Sequence, residues 1–220
     1  MKLLPTRAPG AVLDPIVRVL VAVGITPNML TVAGFLGNVV AAGFVANGEL
    51  VIGGALALGF SALDMLDGAV ARATGKATPF GAMFDSVLDR LSEAAVLGGI
   101  LVYELELENH EEAMLAFWAV VGSLMVSYVR ARVEGLGIMT MRSGLFTRPE
   151  RVVVTGVALL FGWLRPALWL LAVVTLLTTA QRLWTSRGSL LELEREAASA
   201  SEGSATSVNA VDGEQEGGDA

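Results

Sequence analysis

Four aspartates lie in a part of this chain that is otherwise apolar enough for a bilayer. Asp64, Asp67, Asp85 and Asp89 sit between the apolar runs 51–63 and 94–102. One aspartate at the centre of a membrane helix costs roughly 2.5–3.5 kcal/mol, so four unpaired ones would cost on the order of 10 kcal/mol. A chain with this load needs a compensating cation close to the carboxylates. A divalent metal is the most economical candidate.

The surrounding composition supports a membrane setting. The 220 residues are 54% hydrophobic with a mean hydropathy of +0.63, too apolar for an ordinary soluble domain. Cysteine is absent, which excludes disulfides and thiolate metal sites. The single histidine, His110, lies between glutamates in an acidic stretch and reads as a solvated loop residue. The net charge of −7 is carried entirely by residues 188–220, where eight acids meet one base, Arg195. Residues 1–187 are neutral, and no nucleic-acid partner is expected. Poor in apolar residues after Leu193, the tail is expected to be disordered, with a short amphipathic helix near 190–198 as the alternative. No cleavable signal peptide is expected at the N-terminus.

The expected fold class is all-α, a polytopic membrane protein of six transmembrane helices preceded by an amphipathic interfacial helix. The six segments run roughly 27–46, 51–74, 80–103, 112–133, 151–164 and 166–182, with the fifth extending back through Arg148 and Pro149. Residues 13–23, with Asp14 and Arg18, read as the interfacial helix. Three regions follow: 1–25 as N-terminal arm and interfacial helix, 26–187 as catalytic membrane domain and 188–220 as acidic tail. Placing both termini in the cytoplasm leaves Arg165 as the one base among fifteen Lys and Arg on the outer side. Asp64, Asp67, Asp85 and Asp89 then converge at one depth, facing the cytoplasm.

On a helix, residues three or four apart share a face. Asp64 with Asp67, and Asp85 with Asp89, would thus form two pairs on neighbouring antiparallel helices. This donor set suits two hard cations, Mg²⁺ first and Mn²⁺ as the alternative, in a phosphoryl displacement with one aspartate as general base. Gly68 reads either as a close ligand approach or as a helix–helix packing residue. Arg72 reads as a phosphate contact or as a snorkelling interfacial arginine. Thr78 and Gly81 shape the return loop.

These residues spell D-x-x-D-G-x-x-A-R-x₈-G-x-x-x-D-x-x-x-D, complete at Asp64, Asp67, Gly68, Ala71, Arg72, Gly81, Asp85 and Asp89. The chain resembles the CDP-alcohol phosphotransferase family of integral membrane enzymes over about residues 10–187. The resemblance implies transfer of a phosphate-linked group from a CDP-lipid to an alcohol with release of CMP. It also implies two metal ions on Asp64, Asp67, Asp85 and Asp89, Asp89 as base, and a homodimer. Asn28, Met29, Leu30 and Thr31, in the opening G-I-T-P-N-M-L-T, would border the CDP-lipid with Gly68, Arg72 and Thr78.

The acceptor is suggested by arginines. Arg130, Arg132, Arg142, Arg148 and Arg151 crowd a short cytoplasmic region, and Arg182 lies at the same depth. Positive-inside anchoring explains part of this excess, and a phosphate-bearing acceptor explains more. The run S-Y-V-R-A-R-V-E-G-L-G, the R-P-E-R at Arg148–Arg151, and Gln181–Arg182 look like the bacterial phosphatidylinositol phosphate synthases within that family. The expected function is therefore transfer of the phosphatidyl group of CDP-diacylglycerol to inositol 1-phosphate. Arg130, Arg148, Arg151 and Arg182 would hold the acceptor's phosphate. Glycerol 3-phosphate is the rival acceptor, and a non-enzymatic cation transporter the rival class. The expected place is the bacterial plasma membrane, with membrane lipids as surroundings.

Overall fold

The computed structural model describes residues 10–138 and 146–215. Among them the chain is entirely helical, in the order α1 (Gly10–Ala22), α2 (Pro27–Ala46), α3 (Leu50–Thr74), α4 (Pro79–Glu106), α5 (His110–Gly135), α6 (Arg148–Phe161) and α7 (Leu164–Gln215). Four helical stretches are long and apolar enough to cross a membrane: α2, α3, α5 and the Leu164–Arg195 part of α7. The helix α4 has the length but carries the aspartates, and α6, at 14 residues, is short. Apolar side chains such as Leu36, Phe44, Trp118, Trp169 and Leu177 stand on the outer surface, where water would be unfavourable and lipid suits them.

Local chemistry sets the helix starts. Thr26 and Thr78 each cap the following helix by accepting a bond from a backbone N–H, and each precedes a proline at the first helical position. At α6 the cap is Thr147, and Glu150 closes a capping box by accepting from the Thr147 backbone at 2.6 Å. α3 ends at Gly75, whose φ of 65° lets the chain reverse into the short link to α4.

The sequence suggests α3 and α4 as packed neighbours. In the structure they touch only sparsely, because α2 packs along both of them. Small residues permit this: a Cβ at Gly99 of α4 would lie 2.5 Å from the Ala42 carbonyl oxygen of α2. α5 packs on α4 and α7, and α6 packs on α3. The main core includes Val45, Leu97, Ile100, Ala116, Leu159 and Leu168. A second cluster of Val17, Leu30, Leu66 and Val70 fastens α1 to α2 and α3.

Disorder is expected for the tail from its composition, and α7 runs into it. α7 continues without a break to Gln215, and residues 216–220 lie outside the described ones. Leucine, alanine and glutamate are good helix formers, and this segment has no proline to stop them. Leu190 packs against the cluster of Val129, Val133 and Ile138, so contact with the body extends past residue 188. Truncation after Arg195 should leave the melting temperature in detergent unchanged. Truncation after Arg187 should lower it by roughly 2–4 °C, the effect of about 1 kcal/mol of lost apolar contact. Equal melting of the two truncated forms would show that the Leu190 contact contributes nothing.

Candidate active site

The site is built from three helices and the start of a fourth. α3 carries Asp64 and Asp67, one turn apart, and α4 carries Asp85 and Asp89 on one face. α2 is the wall between them. Gly34 of α2 lies so near that a Cβ there would stand 2.6 Å from Asp64 Oδ1. Any side chain at this position would displace the carboxylate. One turn earlier, Thr31 Oγ1 donates to Asp67 Oδ2 at 2.7 Å and, more weakly, to the Pro27 carbonyl. Asp67 is 5% exposed, so this bond fixes an otherwise costly buried carboxylate.

The carboxylates meet as two pairs across the helices. Asp67 lies within hydrogen-bonding reach of Asp85, and Asp64 within reach of Asp89. Arg148, the first residue of α6, enters between Asp64 and Asp89. Its Nη2 donates to Asp64 Oδ2 at 2.8 Å, and its Nη1 stands 2.8 Å from Asp89 Oδ1. Asp85 Oδ1 is buried and has no hydrogen-bond partner. In this arrangement no three carboxylate or imidazole groups among the described residues surround one point. The spacing suggests two pairs, and the fold forms them across the helices, with the Arg148 guanidinium between Asp64 and Asp89.

Two cavities flank the cluster and share Asp85. The first, about 200 Å³, is lined by Asn28, Thr31, Asp67, Gly68, Arg72 and Thr78, among others. Five of the seven residues expected to border a CDP-lipid are therefore together. Leu30 is not with them, because it is 6% exposed and packs in the cluster with Val17 and Val70. Met29 points to the outer surface, onto an apolar groove with Val32, Leu36, Phe80 and Phe84. A Cβ on Gly68 would meet only the Arg72 guanidinium, with Nη1 at 3.3 Å. Helix packing therefore does not require that glycine, and its bare backbone opens onto the cavity.

The second cavity, about 450 Å³, adjoins Asp89 and is lined by Arg90, Arg130, Arg148, Arg151 and Arg182. Their present partners differ. Arg130 pairs with Glu134 one turn along α5 at 2.8 Å, an exposed contact. Arg182 donates through Nη1 to the Val126 carbonyl at 2.8 Å, while its buried Nε has no partner. Arg151 is 2% exposed and makes a two-point ion pair with Glu93, at 2.6 and 2.9 Å. Arg132 is exposed and outside the cavity lining, and Arg142 lies outside the described residues. Two lining or supporting residues were missed from the sequence. Arg90 is held by Ser86 on its own helix, and Glu93 continues the row of Asp85 and Asp89 by one more turn. The four-residue spacing was the available signal for Glu93.

A carboxylate cluster thus lies between a cavity lined by Gly68, Arg72 and Thr78 and a cavity lined by five arginines. The pattern of the CDP-alcohol phosphatidyltransferase family matches residues 24–184. The chain is 38% identical over 179 residues to the archaetidylinositol phosphate synthase of Pyrococcus horikoshii, covering 81% of this chain and 92% of the relative. It is 36% identical over 190 residues to the phosphatidylinositol phosphate synthase of Mycobacterium tuberculosis, covering 80% and 87%. The crystal structure of that enzyme with CDP-DAG bound superposes with a TM-score of 0.75 at 33% identity, covering 80% of this chain and 94% of the other. A second crystal structure, in complex with manganese and citrate, gives 0.72 at 34% identity, covering 79% and 88%. This chain belongs to the CDP-alcohol phosphatidyltransferase family. It is a transferase and an integral membrane protein.

Removing Arg148 would leave Asp64 and Asp89 facing each other without their shared cation. Breaking one partner of a buried pair costs about 3–5 kcal/mol, and the partial exposure of Arg148 favours the lower end. Arg148→Gln in EDTA should therefore melt roughly 6–12 °C below the wild type. Unchanged melting would show that the bridge carries no net stability.

Proposed function

We propose that this protein transfers the phosphatidyl group of CDP-diacylglycerol to inositol 1-phosphate, giving phosphatidylinositol phosphate and CMP. The observation that carries this reading is the five-arginine cavity beside Asp89, joined at Asp85 to the cavity lined by Gly68 and Arg72. The names of the similar proteins, archaetidylinositol phosphate synthase and phosphatidylinositol phosphate synthase, support the same acceptor.

In this reading the cytidine diphosphate lies over Gly68, with Arg72 and Thr78 on its phosphates and Asn28 and Thr31 at its side. Met29 borders the acyl region on the apolar groove, and Leu30 supports the wall from behind. The acceptor's phosphate sits in the arginine cavity, held by Arg182, Arg130 and Arg148, with Arg90 and Arg151 in its lining. Asp89 removes the proton from the acceptor hydroxyl. The oxygen forms a bond to the lipid-side phosphorus while the bond from that phosphorus to the CMP oxygen breaks, and CMP leaves with the electron pair.

The carboxylates fit hard divalent cations, because they approach in pairs and Asp85 Oδ1 is buried without a partner. Asp64, Asp67, Asp85 and Asp89 would hold two such ions, Mg²⁺ or Mn²⁺, which supply neutralisation of the pyrophosphate charge. Arg148 then has two sets of partners, the carboxylates and the acceptor's phosphate. The remaining proposals complete the setting. α2 to α7 span the plasma membrane of a bacterium six times, α1 lies along its cytoplasmic surface, and both termini and the site face the cytoplasm. Residues 1–25, 26–187 and 188–220 serve as arm, catalytic domain and tail, and two copies form a homodimer.

Purified protein with CDP-diacylglycerol, Mg²⁺ and inositol 1-phosphate should release CMP. A preference for glycerol 3-phosphate or unphosphorylated inositol would overturn the acceptor, and no CMP with any alcohol would overturn the chemistry. Asp67→Asn and Asp89→Asn should each abolish turnover, and Asp67→Asn should also weaken Mn²⁺ binding measured by calorimetry. Arg182→Gln should raise the acceptor KM roughly ten- to hundred-fold, the scale of one charge-assisted phosphate bond of about 1.5–3 kcal/mol, and leave the CDP-diacylglycerol KM nearly unchanged.

A further inference from the structure

α6 begins at the active site, yet its backbone packs on α3 and, to a lesser extent, on α7 rather than on α4. Between α6 and α4 there is instead a small gap of about 20 Å³, lined by Glu93, Val96, Val152 and Thr155 among others. Two side-chain rungs cross from α6 to α4. Arg148 reaches Asp89, and Arg151, one turn later, reaches Glu93, one turn after Asp89. The second rung is the more buried, with side chains 2% and 6% exposed against 24% and 19% for the first. It is also doubly bonded, and Arg151 Nη1 further donates to the Phe146 carbonyl at 3.3 Å, in the segment that walls the arginine cavity.

We propose that Glu93 is a positioning residue. Paired with Arg151, it sets the register of α6 against α4, which places Arg148 between Asp64 and Asp89 and shapes the acceptor cavity. Arg151 is committed to this pair and does not contact substrate. The rigid, planar two-point geometry gives such a pair directional control that a single lysine contact lacks. Where backbones do not interlock, that control falls to side chains. This inference rests on the phosphatidyl-transfer reading for the function it serves.

The test is a double-mutant cycle on the full-length enzyme in detergent, with Glu93→Gln, Arg151→Gln, the double variant and Arg151→Lys. Acceptor KM, CDP-diacylglycerol KM and melting temperature are measured for each. Each single glutamine variant should raise the acceptor KM roughly ten-fold, a coupling of ordinary size for residues in one ion pair. The double variant, which buries no unpaired charge, should be no worse than either single and should fold even if a single does not. Arg151→Lys should fall between the wild type and Arg151→Gln. An impaired Arg151→Gln beside a silent Glu93→Gln, or additive effects, would make Arg151 a substrate contact and overturn the proposal. Lowered melting with an unchanged acceptor KM would reduce the pair to a stability element and overturn it equally. Failure of the functional reading would appear already in the wild type, as no turnover of inositol 1-phosphate. The cycle would then be run with the alcohol that is turned over.

Discussion

Convergence of four carboxylates, one buried and three half-buried, is the constraint on which the rest of this structure depends. Two helices deliver two aspartates each to one small region, where low dielectric makes both desolvation and mutual repulsion costly. The fold answers with directed partners. Thr31 donates to Asp67, and Arg148 lies between Asp64 and Asp89. Each partner requires its helix in one place, so the charge problem dictates much of the packing. α2 must come close enough for Gly34 to touch Asp64, and α6 must start where Arg148 can reach two helices.

The start of α6 shows how fully a short segment can be used. In Arg148–Arg151, one arginine crosses to the aspartates, the proline takes a helix-start position, the glutamate closes the cap with Thr147, and the second arginine pairs with Glu93. Cap, ion pairs and helix start support one another, so the segment is positioned by several interactions of different kind.

The two cavities divide the chemistry by the character of their walls. One offers a glycine backbone, two threonines, an asparagine and Arg72, and the other offers five arginines. They meet at Asp85, with Asp89 on the arginine side. Two phosphate-bearing substrates entering from these two sides would bring their reacting atoms together at the carboxylates.

The sequence by itself determined the helical class, most helix limits and the identity of the central carboxylates. Apolar runs of membrane length, threonine–proline starts and three- or four-residue aspartate spacings are local signals that survive folding. The limits of α2 at Pro27–Ala46 were legible for this reason. Long-range pairing was not legible. Nothing local says that α2 separates α3 from α4, that Arg148 bridges Asp64 and Asp89 across 84 and 59 positions of chain, or that Arg151 pairs with Glu93. The arginines are alike in sequence, and only their distances to carboxylates in the folded chain separate a bridging Arg148 and a buried Arg151 from Arg182, which donates to the Val126 carbonyl instead. The helical run into the tail has a related reason. Its polarity argued against a core, but helix propensity together with one tertiary contact at Leu190 lets α7 run on. Propensity is a property of the segment, whereas the contact that anchors it exists only once α5 and α7 lie side by side.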